Sequence, residues 1–371
     1  MKKIVWITID PFVDCDLIPI DQVSKVYFVN WIVVLPLHNA RYSELEIKNS
    51  FINNNRVQIE FFYEKYGARD LRKVFDYKRL GSKASAYQGD LYYVNYSVAF
   101  PWYLLFWKQL PTQRRIITAH QGAVHIGMKN RMFTNLSRDL VYRNARLVNM
   151  FSSSQAELFH KRYPKSKIEI INLALKNYGI PTVAKASGKD SCIHFLSFGL
   201  INYAKNIDLL IDAACNLHEK GVRGFKVLIY GKCDNWTFYQ EKIRYPELFE
   251  TFTGFVSNDD IPNLLSKAHF FVQPYRVVSQ SGAMKVAFQY NTPVIASNLP
   301  GLMDEIREGV NGFSFKAGDV EDLERVMGER IASFHDEYDV LCSKMNEYIQ
   351  ENYSPDKIGM KYIQMFDNFI K

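Results

Sequence analysis

The sequence predicts an α/β protein built from two parallel-sheet domains, and three observations carry that expectation. Its 371 residues exceed what one hydrophobic core serves, so two domains of roughly 150–200 residues are expected. Apolar runs of strand length alternate with longer amphipathic stretches, the pattern of βα units whose sheets are covered on both faces. The clearest unit is Phe270–Asn298, FFVQPYRVVSQSGAMKVAFQYNTPVIASN, which reads as strand, Ser/Gly turn, helix start and second strand. A helix opening at Ser281-Gly282 presents free backbone N–H groups and the positive end of its dipole, so a phosphate can sit there without a metal ion. Gly282 has no Cβ to keep a ligand off the backbone.

The elements follow in order. Ile4–Ile9 and Phe28–Leu35 are apolar strand candidates, and Val57–Phe62 alternates like a strand. Glu64 to Asp90 is rich in Lys, Arg and Tyr at helical spacing. LYYVNYSVAF is a strand candidate, and Phe100–Trp107 a short aromatic helix. Arg115–His120 reads as a strand that delivers His120 to its C-terminal edge. A basic helix is expected at 135–144, then a strand at 147–151 whose trailing serines, Ser152 to Ser154, cap the helix Gln155–Tyr163. Ile168–Leu173 closes this half. Lys176–Asp190 mixes Gly, Pro, Ser and Lys with little periodicity and reads as a linker. Beyond it come strand Cys192–Phe198, helix Ile207–Lys220, strand Phe225–Tyr230, helix Tyr239–Phe249, strand Phe252–Phe255, helix Ile261–Ala268 and strand Phe270–Gln273. The expected domains are 1–180 and 190–352, with a C-terminal helix in 353–371 whose Ile358, Tyr362, Met365, Phe366 and Phe369 share one face and pack back on the first domain. Two such halves place a cleft between the carboxyl ends of two sheets, where ligands of open α/β sheets bind.

Composition narrows the function classes. A hydrophobic fraction of 47% and a charged fraction of 23% are ordinary for a globular chain. Aromatics reach 15%, a surplus that suits carbohydrate stacking or a membrane interface as well as a core. The net charge of +7 is compatible with phosphorylated ligands, an anionic membrane or nucleic acid and selects none of them. With no stacking motif or recognition-helix pattern, nucleic acid is not an expected partner. The five cysteines are scattered without CxxC spacing, which argues against a disulfide framework or a zinc site and for a reducing cytoplasm. The apolar run after Lys2-Lys3 is broken by Asp10-Pro11, so it reads as a first strand rather than a signal peptide, and Tyr27–Leu37 falls short of the roughly 20 residues a spanning helix needs. The clusters Lys161, Arg162, Lys165, Lys167 and Arg138, Arg143, Arg146 are solvated helix faces or, with Phe100–Trp107, a patch for an anionic membrane. Asp259-Asp260 stands where helix capping explains it.

From Phe198 to Phe315 the ordered motifs resemble the donor domain of GT-B glycosyltransferases of family four, the group 1 glycosyl transferases. They are Phe198-Gly199, Lys205-Asn206 opening IDLLIDAA, VLIYGK at 227–232, FTGFVSNDDIPNLLSKAHFFVQP at 252–274, SQSG at 279–282, TPVIASNLPG at 292–301 and EGVNGF at 308–313. In the first half the resemblance is carried by IITAHQGAVH, where His120 matches a histidine at a strand end. The resemblance implies two Rossmann-like domains facing each other across a cleft. It implies transfer of a sugar from a nucleoside diphosphate sugar to a hydroxyl of a glycan or lipid-linked acceptor in cell-surface polysaccharide synthesis, with no cofactor or metal, in a cytoplasmic protein with room for peripheral contact at the inner face of the plasma membrane.

The same resemblance assigns residues. His120 and Lys205 are the catalytic candidates. Gly199, Lys205, Gln280, Ser281, Gly282 and Ala283 form the donor-phosphate set; Tyr230, Gly231, Gly254 and Phe255 flank the nucleotide base; Asp10 and His125 lie on the acceptor side. A lysine and a helix N-terminus can share the charge of a diphosphate leaving group. Taken alone, His120 could equally be a hydrogen-bonded core residue, and Asp10 a turn former. Departures are also present. Leu200 stands where the family has an arginine, and Val278 and Val286 stand where it has glutamates, in a subgroup-like QSG context. A nucleotide-sugar-binding protein without catalysis is therefore the alternative.

Overall fold

The computed structural model describes residues 1–67, 70–96, 100–123 and 131–371. The chain divides into two compact units, Met1–Ala174 with Tyr353–Lys371, and Leu175–Asn352. Each holds one fully parallel sheet with helices as crossovers, so both are Rossmann-like.

In the first unit β1 (Lys3–Ile9), β2 (Phe28–Pro36), β3 (Val57–Glu64), β4 (Leu91–Asn95), β5 (Arg115–Ala119), β6 (Val148–Met150) and β7 (Ile168–Ile170) lie in the order β3-β2-β1-β4-β5-β6-β7. Successive residues of β1 serve opposite faces, as strand geometry requires. Val5 and Ile7 pack with Tyr77, Tyr92, Tyr103 and Phe106 on one side; Ile4 and Trp6 pack with Trp31, Tyr93, Tyr362 and Phe366 on the other. The last two come from the C-terminal helix Pro355–Ile370, which buries Ile358, Tyr362, Met365 and Phe366 in this unit. Each such large apolar side chain contributes about 1.5–3 kcal/mol on burial. Close seating needs Gly359: a Cβ there would stand 2.4 Å from the Cβ of Gln22 in the helix Val13–Ser24.

The second unit orders β8 (Ile193–Phe198), β9 (Phe225–Tyr230), β10 (Phe249–Phe252), β11 (Phe270–Gln273), β12 (Val294–Ser297) and β13 (Gly312–Phe315) as β10-β9-β8-β11-β12-β13. The helix Ile207–Glu219 follows β8 and buries Leu209, Leu210, Ala213, Ala214 and Leu217, the face its spacing predicts. In both sheets the strand order reverses beside the first strand, between β1 and β4 and between β8 and β11. The loops leaving those strands in opposite directions open a crevice at each switch point.

Several elements differ from expectation. The helix expected at 239–249 is only Trp236–Gln240, because Pro246 bars Tyr245 from helical geometry; Tyr245 lies at φ −129°, ψ 83°. A 3-10 turn follows, and β10 is Phe249–Phe252 rather than Phe252–Phe255. Helix in the Lys/Arg/Tyr-rich region is confined to Lys73–Ala86, and the basic helix is Arg131–Tyr142. The expected linker runs along the second unit, with Ala186 N–H donating to the Ser266 carbonyl and Lys185 Nζ donating to the carbonyls of Leu265 and Ala268. Asp260 precedes the helix Ile261–Lys267 without a side-chain cap bond, so capping does not explain that acid. Ser152 does cap its helix, accepting from Gln155 N–H.

Candidate functional site

The second unit's switch point is built by two loops. After β8 the chain runs Gly199, Leu200, Ile201 into a short 3-10 turn, Tyr203–Lys205, and the left-handed Asn206 (φ 53°) begins the next helix. After β11 it runs Pro274, Tyr275, Arg276 towards Ser281. Arg276 fastens the two together: its guanidinium pairs with Asp208 at 2.7 Å, and its backbone N–H donates to the Ala204 carbonyl. Lys205 Nζ stands 3.7 Å from the centre of the Tyr275 ring, a cation–π contact. Among the described residues no carboxylate pairs with that ammonium. A small concavity at this point is lined by Ser197, Gly199, Ile201, Lys205 and Tyr275.

Ser281 caps the helix Gly282–Gln289, its Oγ accepting from Met284 N–H at 3.2 Å and from Gln273 Nε2 at 2.6 Å. The same Gln273 amide donates to the Tyr275 hydroxyl at 3.0 Å, so one buried side chain joins the lysine's platform to the helix cap. Capping occupies the Ser281 oxygen and leaves the first-turn amides, those of Gly282 and Ala283, as outward donors. Lys176 Nζ lies 3.2 Å from where a Gly282 Cβ would be, a second cation against the positive end of the helix. Among the described residues, the buried Gln273 Oε1, the Gln280 Nε2 and both amide atoms of Asn206 have no hydrogen-bond partner. Val286 is buried in the core-facing side of this helix and Val278 is half-buried. Beside Val286, the buried Lys285 ammonium pairs with Glu305 at 2.5 Å, and burial lowers its pKa.

Gly199 and Gly231 meet at the ends of β8 and β9. Both have positive φ (122° and 150°), and a Cβ on Gly231 would fall 1.8 Å from the Gly199 carbonyl oxygen. The backbone is thereby brought close to the sheet edge without side chains. Tyr230 donates its hydroxyl to Glu250, which together with burial pushes its pKa up to about 12. Tyr230 also lines, with Leu228, Phe252, Val256 and Leu264, a concavity of about 500 Å³. Gly254 and Phe255 follow on the same loop; the Phe255 ring is 79% exposed.

In the first unit His120 ends β5, half-buried, stacked on Phe12 with ring centres 3.7 Å apart and 4.6 Å from Phe151. Its Nε2 lies 2.7 Å from Asn95 Oδ1 at the end of β4. Asn95 Nδ2 donates to Asp16 Oδ2 at 2.9 Å, and Asp16 also accepts from Trp6 Nε1 and Thr8 Oγ1. Complete burial pushes the Asp16 carboxyl up to about 7 against those hydrogen bonds. Asp10 turns inward: its Oδ1 accepts the backbone N–H groups of Arg41 and Tyr42, so its observed bonds are those of a turn-holding acid. His125 lies outside the described residues. Arg138 is buried and donates to the carbonyls of Gln121 and Gly122, and Tyr103, Phe106 and Trp107 are core residues, so these four side chains are not part of a surface patch, whereas Arg143 and Arg146 are exposed. Among the described residues no group of three or more His, Cys, Asp or Glu side chains is arranged to hold a metal ion.

The sequence resemblance grouped Gly199, Lys205 and the 280–283 turn as one donor-phosphate set, and in the structure the loops that carry them are linked through Arg276, Tyr275 and Gln273. Sequence reasoning missed Lys176, Gln273, Tyr275, Asp16 and Asn95. Gln273 and Asn95 each end a strand beside a switch point, a positional signal that could have found them; Lys176 and Asp16 carry none.

Comparison with known proteins identifies similar sequences and folds. Residues 193–332 match the profile of the family described as glycosyl transferases group 1. A glycogen synthase of Thermodesulfovibrio yellowstonii is 25% identical over 211 residues, 56% of this chain and 39% of that protein, so the chain spans about two-fifths of that relative's length. Sucrose-phosphate synthase from Thermosynechococcus elongatus superposes with a TM-score of 0.72 at 15% identity, over 99% of both chains. Anabaena HepE in complex with UDP-glucose superposes with a TM-score of 0.70 at 15% identity, over 99% of this chain and 100% of that one. The chain is thus a GT-B-fold protein whose second unit is similar in sequence to the glycosyl transferases group 1.

Proposed function

We propose that the protein is a glycosyltransferase that moves a sugar from a nucleoside diphosphate sugar to a hydroxyl of a glycan or lipid-linked acceptor. One observation carries the reading: two lysines and a capped helix N-terminus converge on the loops of a sheet's switch point. Lys205, Lys176 and the amides of Gly282 and Ala283 would hold the diphosphate and stabilise the charge that develops as the bond from the sugar C1 to the phosphate oxygen breaks. The acceptor oxygen forms the new bond to C1, its proton passing to the departing phosphate oxygen. Retention of configuration follows the family resemblance, and the protein's own cations carry the charge without a metal or other cofactor. Tyr230, Gly231, Gly254 and Phe255 would flank the base, and His120 would orient a sugar or acceptor hydroxyl. The match to a family profile and the UDP-glucose-bound structural relative support this assignment. It is tested by following nucleotide release and product formation from UDP-, GDP-, ADP- and dTDP-sugars with and without chelator. Turnover that a chelator leaves unchanged is the expected result; turnover abolished by it contradicts the metal-independent form.

Val278 and Val286, where the family has glutamates, favour one second reading: a protein that binds a nucleotide sugar without turning it over. Binding with no transfer and no slow donor hydrolysis would establish that reading.

A cytoplasmic, membrane-peripheral placement in cell-surface polysaccharide synthesis belongs to the same proposal. No helix among the described residues is long and apolar enough to cross a membrane. The helix Arg131–Tyr142 instead exposes Met132, Phe133, Leu136 and Leu140 along one face, Met132 by 73%. Such a face, beside the exposed Arg131 and Arg143, suits an anionic bilayer surface. Cosedimentation with anionic vesicles that is lost in Met132→Glu/Leu136→Glu is the expected outcome; unchanged cosedimentation contradicts it.

A further inference from the structure

The bonds beneath His120 have a fixed direction. Indole N–H groups only donate, so Trp31 Nε1 donates to Thr8 Oγ1 (2.9 Å), and the Thr8 proton goes on to Asp16 Oδ2 (2.6 Å). Trp6 Nε1 donates to the same oxygen at 2.9 Å. Where Asp16 is ionised, above about pH 7, the third neighbour of that oxygen, the Asn95 amide, presents its NH₂, which turns Asn95 Oδ1 towards Thr118 Oγ1 (2.9 Å) and His120 Nε2 (2.7 Å). A carbonyl oxygen only accepts, so Nε2 of His120 carries a hydrogen. Asp16, Asn95 and Thr118 are each no more than 1% exposed, and all belong to one compact unit.

We propose that Asp16 is a positioning residue for His120: acting through the Asn95 amide, it fixes Nε2 of His120 as the nitrogen that donates to Asn95 Oδ1 and so sets the polarity of the ring. Asp16 touches no substrate; it acts only through Asn95. The stacking of His120 on Phe12 sets the ring plane, and the Asp16–Asn95 pair sets its polarity. The inference rests on the reading of His120 as a residue that contacts substrate, whereas the tautomer can be measured without substrate.

The experiment is two-bond ¹⁵N–¹H spectroscopy at about pH 8, where Asp16 is ionised, of the full-length protein labelled at histidine, with His120 assigned by its loss in His120→Gln. The wild type should show Nε2 protonated and Nδ1 unprotonated. Asn95→Leu removes the carbonyl, and Asp16→Leu frees the amide to turn; both should give a tautomer mixture. Asp16→Asn, whose own carbonyl accepts the same three donors, should keep the wild-type spectrum. In assays with a nucleotide sugar, Asn95→Leu should lower kcat/KM about 10–100-fold, the scale known for losing the hydrogen-bond partner that orients a metal-bound histidine. Protonated Nδ1 in the wild type overturns the assignment whether or not the variants fold, and so does an unchanged tautomer in folded Asn95→Leu. Wild-type protein without turnover on any donor, yet with the expected spectra, overturns the transfer reading and with it the part of His120 in substrate binding.

Discussion

Asp16→Asn should abolish a loss of stability that the wild-type first unit suffers as pH rises. The Asp16 carboxyl is completely buried, and burial moves its pKa from 3.8 to about 7 despite hydrogen bonds from Thr8, Asn95 and Trp6. Between those values the folded state holds a proton that the unfolded chain has released, so stability falls as pH rises through the window. The displacement corresponds to about 4 kcal/mol, of which about 3 kcal/mol lies above pH 5. Asparagine has no proton to lose there and keeps the accepting carbonyl. Four of the five tryptophans (Trp6, Trp31, Trp102 and Trp107) belong to this unit, so intrinsic fluorescence during urea unfolding reports mainly on it. With a slope of about 2 kcal/mol per molar urea, the variant's midpoint should gain about 1.5 M on the wild type between pH 5 and pH 8. Parallel pH profiles for the two proteins would refute the argument that Asp16 is held as a buried acid.

Lys205→Ala should weaken nucleotide-sugar binding by about 10–100-fold in calorimetry, the worth of one charge-assisted phosphate contact, and lower turnover with it. Unchanged affinity would remove Lys205 from the phosphate set. His269 gives the second unit the opposite pH dependence: its buried ring accepts the His194 N–H and donates to Asp190, and burial holds its pKa near 4. The unfolded chain protonates at 6.5 and the folded unit does not, so stability falls as pH drops from 6.5 towards 4. His269→Gln should lose about 2 kcal/mol less than the wild type between pH 6.5 and pH 5, read from urea unfolding. Gly231→Ala places a Cβ against the Gly199 carbonyl at positive φ and should cost at least about 3 kcal/mol, seen as a melting temperature lower by at least about 6 °C.

Much of this fold was legible because its periodicities are clean. The buried run of Ile4–Ile9, the one-sided helix Ile207–Glu219 and the Ser281-Gly282 helix start each follow from local pattern. Boundaries failed where one residue overrode periodicity, as Pro246 does by ending a helix early and moving β10 three residues towards the N-terminus. The capped helix start at Ser281-Gly282, where a phosphate is proposed to sit, was legible because its residues are contiguous. The Asp16–Asn95–His120 chain was not, since its members come from a helix and two strand ends separated by up to 104 residues in the sequence numbering. Lys176 was unreadable for the opposite reason: it sits in an aperiodic stretch whose course along the second unit only the fold reveals. Basic residues such as Arg138 misled, because charge pattern alone does not distinguish a solvated face from a buried guanidinium bonded to carbonyls.

The central claim, that the switch point of the second unit binds a nucleoside diphosphate sugar, is tested most directly by the melting temperature of the purified protein against UDP-, GDP-, ADP-, CMP- and dTDP-linked sugars. A ligand that binds only the folded state stabilises it by about 2.7 kcal/mol at one hundred times its Kd. The expected result is a rise with one nucleotide family that shrinks at the same ligand concentration in Lys205→Ala. No rise with any of them, at millimolar ligand and with the protein folded, would contradict the claim.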